Sequence, residues 1–224
     1  MPAYNEEKSI LLILEKIKAL NFKEVSLEVI VVDDGSSDKT VELLESNPKL
    51  YQRLVKLPVN SGKGAAVKAG LAVATGDYIL FQDADLEYDP ADYPKLFAPA
   101  LKYSAEVIIG SRFVAPECIR VSYFWHKVGN YLISFIFNIL NNTAFTDIYS
   151  CYLMYRRELV NPDALTTYGW EQQAEILSIA VKNGNVYYEV PISYHGRTYE
   201  DGKKIHAHHA IGVIWTTFRL RFFG

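Results

Sequence analysis

The sequence of 224 residues has only two cysteines, Cys118 and Cys151. Two thiols build no disulfide framework and match no thiolate metal spacing, which sets aside stapled secreted domains and zinc modules and favours a reducing, cytoplasmic setting. There is no excess of positive charge: 23 Lys and Arg stand against 26 Asp and Glu, a net charge of -3. A general nucleic-acid binder carries a basic stripe, so no nucleic-acid partner is expected. No clean apolar run reaches the about 20 residues of a membrane-spanning helix. The longest, residues 121–140, is broken by His126, Lys127, Gly129, Asn130 and Asn138 and reads as a buried or interfacial helix. The opening Met1-Pro2-Ala3-Tyr4-Asn5 lacks the apolar core of a signal peptide. Repeats, low-complexity stretches and flexible linkers are also lacking. One domain over 1–224 is expected, with enough apolar residues for a real core.

What is present alternates strand and helix. Apolar residues at Ile10, Leu11, Leu14, Ile17 and Leu20 recur at helical spacing over 6–20. Short β-rich runs follow at 27–32, 54–57, 78–82 and 106–109, with helical stretches at 38–44 and 64–74 between the earlier ones. Repeated strand–helix units predict an α/β fold with a mostly parallel sheet flanked by helices. Residues 1–4 read as the loop after a first strand that is itself missing. Beyond 115 the pattern changes to an aromatic-rich helix at 122–141, a strand at 152–156, a helix at 170–183 ended by Gly184, a strand at 186–192, and a bulky apolar tail at 210–223 bearing Arg219 and Arg221.

In open parallel sheets, strand ends point side chains into a ligand crevice. Acidic clusters stand at such ends here: Asp33-Asp34, then Asp83-Ala84-Asp85 with Glu87 two residues further, and Asp147 in the loop before 152–156. Carboxylates two residues apart can face one hard divalent ion if the backbone between them bends, and such ions bridge carboxylates to phosphate oxygens. Asp34 suits either a base or ribose hydroxyl or a helix N-cap. The segment 60–64, Asn-Ser-Gly-Lys-Gly, is a glycine-bearing turn without full phosphate-loop spacing, in which Lys63 adds positive potential. Arg112, after the strand at 106–109, would grip phosphate or anchor an acidic loop such as that around Asp85. The basic segment from His195 to Lys204 is either a lid over a diphosphate or a surface charge run. His206, His208 and His209 do not have the spacing of a catalytic zinc site and read as a solvated or interfacial cluster.

Taken in order, Pro2-Ala3-Tyr4-Asn5-Glu6, Val32-Asp33-Asp34-Gly35-Ser36, Asp83-Ala84-Asp85-Leu86 and Gly110-Ser111-Arg112 resemble the motif series of inverting family-two glycosyltransferases. Glu189-Val190-Pro191-Ile192, followed by His195-Gly196-Arg197 and Lys203-Lys204, is similar to the dolichyl-phosphate mannose synthase branch and its polyprenyl-phosphate relatives. The resemblance implies a GT-A fold, a Rossmann-like sheet merged with a smaller acceptor half, here 1–115 and 116–224. It implies that Pro2, Tyr4, Glu6, Val32 and Asp34 hold the nucleoside, with Asp83 and Ala84 beside them. It implies that Asp83 and Asp85, with Glu87 where the family often has Gln, hold Mg²⁺ or Mn²⁺, and that Arg112, Arg197 and Lys203 contact phosphates. The loop often read as Asp-Pro-x-Ser-Gly is here Asp147-Ile148-Tyr149-Ser150-Cys151, and some members continue into membrane helices that this sequence does not contain.

The expected reaction moves a sugar from GDP-mannose or a UDP-sugar onto a polyprenyl or dolichyl phosphate, with Asp85, Asp147 and Arg112 as catalytic candidates. A phosphate acceptor is already anionic near neutral pH and needs no strong base, whereas a sugar-hydroxyl acceptor would require a carboxylate such as Asp147. Hydroxyl transfer in polysaccharide or cell-envelope synthesis, and an inactive nucleotide-sugar-binding protein, are the alternatives. Tyr123, Phe124, Trp125, Tyr131, Phe135 and Phe137 with Lys127, and the tail residues Trp215, Phe218, Arg219, Arg221 and Phe222, form either a membrane-facing surface or core and dimer contacts. Peripheral placement on the cytoplasmic face of a membrane is expected, and a homo-oligomer is compatible with the same surfaces.

Overall fold

The helical spacing of Ile10, Ile13, Leu14 and Ile17 puts all four on the buried face of α1 (Ile10–Ala19). The computed structural model describes residues 1–114, 124–196 and 209–223. Pro2–Ala3, read from the sequence as loop, form a short strand β1 parallel to β2 (Ile30–Asp33), with Pro2 opposite Val32 and Ala3 opposite Asp33. β2 in turn pairs parallel with β3 (Arg53–Lys56). Helix α2 (Thr40–Ser46) lies between β2 and β3 in the chain, and helix α3 (Lys63–Val73), which follows β3, packs on β1 and β2.

A second sheet has the order β4 (Tyr78–Leu80), β6 (Leu153–Arg156), β5 (Val107–Ser111), β7 (Tyr187–Pro191). β5 and β7 are parallel, while β6 runs antiparallel to both β4 and β5. The parallel expectation therefore holds except at β6. Hydrophobic pattern reports burial but not direction, so this reversal was invisible in the sequence. Its consequence is positional. β5 ends and β6 begins at the same sheet edge, with Ile109 opposite Leu153, so the chain between them leaves and returns on the side where ligands bind. That excursion carries Arg112, Asp147 and helix α5 (Phe124–Asn141).

β5 is buried along its whole length. Its alternate side chains serve two cores: Val107 and Ile109 pack with α6 (Gln172–Asn183) through Ala174, Ile176 and Leu177, whereas Ile108 packs with Leu14, Leu96 and Tyr152. Helix α4 (Tyr93–Tyr103), absent from the sequence reading, supplies Leu96 and Phe97. Prolines hid it: Pro90 and Pro94 punctuate its entry and Pro99 lies inside it. Helix α7 (His209–Phe223) packs on α5 and α6. Among the described residues no helix is long and apolar enough to cross a membrane.

Candidate active site

Two turns fix the first wall of the site. Asp33 Oδ2 accepts the Gly35 and Ser36 amides, both at 3.1 Å. Gly35 has φ 70°, and a Cβ there would stand 2.6 Å from the Val59 carbonyl carbon. Asp34, next along, is buried and accepts Ser61 N at 2.8 Å and Gly62 N at 2.9 Å. These amides belong to the turn that leads into α3, so Asp34 braces that turn, while Asp38 bonds the first turn of α2. The 60–64 turn, which lacks full phosphate-loop spacing, has its Ser61 and Gly62 amides on this carboxylate. Burial, ahead of those two bonds, pushes the Asp34 carboxyl above its ordinary value. Gly64 lets α3 approach the backbone of Tyr168, since a Cβ would lie 2.6 Å from the Tyr168 carbonyl carbon.

Asp83, Ala84 and Asp85 follow β4 in a tight bend. Leu86 closes it at φ 63°, a left-handed conformation costing about 1 kcal/mol for such a residue. Asp85 Oδ1 accepts Glu87 N at 3.1 Å. Asp83 Oδ1 lies 2.7 Å from the Lys63 ammonium, both side chains being largely buried. Burial raises the Asp83 carboxyl, and Lys63 beside it more than reverses this, leaving it below the usual range. Glu87 Oε2 accepts the Tyr194 hydroxyl at 2.7 Å.

Arg112 reaches into the site from the end of β5. Its Nε and one terminal nitrogen grip Asp147 Oδ2 and Oδ1 at 2.7 and 2.8 Å, and its backbone amide bonds Oδ2 at 3.1 Å. The guanidinium carbon lies 5.1 Å from the Tyr194 ring centre. Burial opposes the Arg112 charge, and Asp147 more than offsets it, so the guanidinium stays protonated. Asp147 is fully buried, and its loop is pinned by Glu189 of β7, which accepts the Thr146 and Asp147 amides.

These elements enclose a cavity of about 630 Å³. Of the residues expected from the sequence, Pro2, Tyr4, Glu6, Asp34, Asp83, Ala84, Asp85, Glu87 and Arg112 line it. Val32 does not. It is buried in β2 under α3, with its Cγ2 3.1 Å from where a Gly70 Cβ would stand. Asp147 does not line the cavity either. Both its oxygens face Arg112. The anchor reading of Arg112 is correct in kind, but the partner is Asp147 rather than the loop around Asp85. Arg197, Lys203, Lys204, His206 and His208 lie outside the described residues, as do Cys118 and Tyr123.

The sequence reading missed the contribution of α6. Trp170, Gln172 and Gln173 line the cavity. Gln173 donates to the Ser150 carbonyl, and Gln172 Nε2 is buried without a hydrogen-bond partner among the described residues. A glutamine pair in the first turn of the helix was the available signal. Helices α5 and α7 add a mostly apolar part of the lining: Gly129, Asn130 and Ile133 from α5 and Ala210 and Val213 from α7. Outward, the same two helices expose Phe124, Trp125, Phe135, Ile139, Ile211, Trp215 and Phe222, with Trp125 76% and Trp215 61% exposed. Two expected members of this surface are corrected. Phe137 is buried core, and Arg219 turns to Thr166 at 2.7 Å and Glu175 at 3.4 Å.

Among the described residues no group of three or more His, Cys, Asp or Glu is gathered as a metal cage. A magnesium-type ion commonly takes one or two carboxylates and completes its shell with substrate phosphates and water. Asp83 and Asp85 fit that pattern, and Asp83 already accepts a cation, the Lys63 ammonium.

Comparison with known proteins agrees with this geometry. Residues 1–162 match the family described as Glycosyl transferase family 2. The chain is 30% identical over 211 residues to a UDP-N-acetylglucosamine–dolichyl-phosphate N-acetylglucosaminyltransferase of Methanococcus voltae, covering 86% of this chain and 82% of that protein. It is 31% identical over 166 residues to an undecaprenyl-phosphate 4-deoxy-4-formamido-L-arabinose transferase of Proteus mirabilis, covering 72% of this chain and 49% of that protein. The crystal structure of glucosyl-3-phosphoglycerate synthase from Mycobacterium tuberculosis, in complex with Mn²⁺, UDP and phosphoglyceric acid, superimposes with a TM-score of 0.73 at 20% identity, covering 100% of this chain and 77% of that one. That likeness establishes the GT-A fold.

Proposed function

The chain belongs to glycosyl transferase family 2 and is a glycosyltransferase; from that premise we propose that it transfers a sugar from a nucleotide-sugar, with a divalent ion, to a polyprenyl phosphate at a membrane surface. One observation carries the reading. A single cavity is lined by Pro2, Tyr4, Glu6 and Asp34, by Asp83, Asp85 and Arg112, and by the apolar Ile133, Ala210 and Val213. A nucleoside, a diphosphate, an anionic acceptor and an isoprenoid chain need surfaces of those kinds within one cavity. The relative from Methanococcus, named for a UDP-sugar and a dolichyl phosphate, supports a uridine donor and a lipid phosphate.

The division of labour follows from the contacts. Asp34 holds the entry of α3 against the nucleoside wall. A divalent ion on Asp83 and Asp85 would neutralise charge on the departing diphosphate. Arg112, fixed by Asp147, presents positive charge to the acceptor phosphate, and its two-point grip limits the angle at which that phosphate approaches. No base is needed, because the acceptor oxygen is already anionic. A hydroxyl acceptor would need a carboxylate free to take its proton, and Asp147 is held on both oxygens by Arg112.

Donor recognition has a direct check. A ligand at about 100 times its Kd stabilises the native state by about 2.7 kcal/mol, which raises Tm by roughly 5–10 °C in a chain of this size. UDP-sugars with Mn²⁺ are expected to produce such a rise; GDP-mannose doing so alone would reassign the base, and no rise with any nucleotide-sugar would remove the donor reading. For the membrane, Trp125→Ser with Trp215→Ser is expected to reduce co-sedimentation with anionic vesicles about tenfold, since two indoles leave the interface. Equal sedimentation of variant and parent would contradict this placement of the surface.

A further inference from the structure

Lys63 is the one residue of the 60–64 turn whose side chain enters the catalytic cavity with a charge. Its ammonium sits 2.7 Å from Asp83 Oδ1 and 5.6 Å from the centre of the Trp170 ring. Its side chain is 24% exposed and that of Asp83 21%. At such a partly desolvated place an ion pair is screened less than at the surface, and two cations cannot share one carboxylate oxygen without mutual repulsion. The ammonium therefore stands where the divalent ion would bind.

Lys63 is also tied to the nucleoside wall. It opens α3 directly after Gly62, whose amide is held by Asp34. Asp34 lines the same cavity, so a ligand hydroxyl or base that takes up the Asp34 carboxylate competes with the bonds that hold this turn in place.

We infer that Lys63 is the resident counter-cation of Asp83 in the ligand-free protein and passes to the donor's diphosphate when a divalent ion takes its place, so that metal and nucleoside diphosphate bind as a coupled pair. This rests on the reading of Asp83 and Asp85 as metal-holding residues. It adds that the site is kept charge-balanced without metal and that metal alone binds weakly. By linkage, each ligand raises the affinity for the other by the same factor. The exchange needs no chemistry, only rotation of a lysine side chain whose stem is flexible.

The test measures Mn²⁺ binding from the electron paramagnetic resonance of the free ion, with and without UDP or GDP, in the parent protein and in Lys63→Met. Removing an adjacent competing charge is expected to tighten binding of Mn²⁺ alone about tenfold. With saturating nucleoside diphosphate that advantage disappears, and binding of the nucleotide in the presence of Mn²⁺ weakens about tenfold in the variant while its metal-free binding is unchanged. Lys63→Gln, with melting curves of all three proteins, guards against a misfolded variant and is expected to behave as Lys63→Met does. Mn²⁺ affinity unchanged or lowered in both variants would overturn the inference while leaving the metal reading intact. Absence of Mn²⁺ binding by the parent protein even with nucleotide would remove the metal reading and this inference together.

Discussion

Asp147→Asn is expected to destabilise the protein by about 3–5 kcal/mol, because it leaves the buried Arg112 guanidinium without its counter-charge. Asp147 is fully buried and the Arg112 side chain only 12% exposed, so solvent offers little relief. At 224 residues the loss corresponds to a fall of roughly 10 °C in Tm. Transfer falls with it, since Arg112 no longer holds its angle toward the cavity. A proton-accepting Asp147 would behave differently: the amide would keep the fold and its melting temperature and lose only turnover. A companion variant separates stability from activity. Asp147→Leu with Arg112→Met replaces the pair by apolar groups of similar volume, and is expected to recover most of the lost stability while sugar transfer stays absent. Melting curves beside initial rates check both statements. Full stability in Asp147→Asn would contradict the positioning role.

Asp83→Asn combined with Asp85→Asn is expected to lower sugar transfer by about 10³-fold or more, the scale on which removal of preorganised charge at a departing group acts, about 4 kcal/mol of barrier. The nucleoside wall of Pro2, Tyr4, Glu6 and Asp34 is untouched, so binding of a nucleoside without phosphates stays near the parent value. Asp83→Asn alone also strips Lys63 of its 2.7 Å partner and is expected to be the less stable of the two single variants. Transfer within tenfold of the parent in the double variant would remove the diphosphate-side assignment.

The sheet was readable because buried apolar runs stop abruptly at charged residues: Asp33-Asp34 at the end of β2, Asp83 shortly after β4, Arg112 after β5. A strand end in a covered sheet is where a charged side chain can leave the core, so sequence position alone pointed to several residues that line the cavity. Relationships through space were not readable. Arg112 and Asp147 are 35 residues apart and meet because antiparallel β6 brings the chain back to the edge it left. Val32 has the neighbours of a binding residue in sequence but alternates inward, under α3. The 60–64 turn has phosphate-loop composition, yet its amides bond Asp34. Phe137 and Arg219 sit among exposed residues of their own helices and turn inward. In α4 the prolines that usually end helices stand at its start and within it.

The most direct test of the account is transfer of labelled sugar from UDP-N-acetylglucosamine, UDP-glucose and GDP-mannose to a purified polyprenyl phosphate, run with Mn²⁺ and with chelator. The account predicts a labelled lipid product from one donor class, formed with metal and lost on chelation. Labelled lipid formed equally well in chelator, or label passing only to sugar hydroxyls, would contradict it.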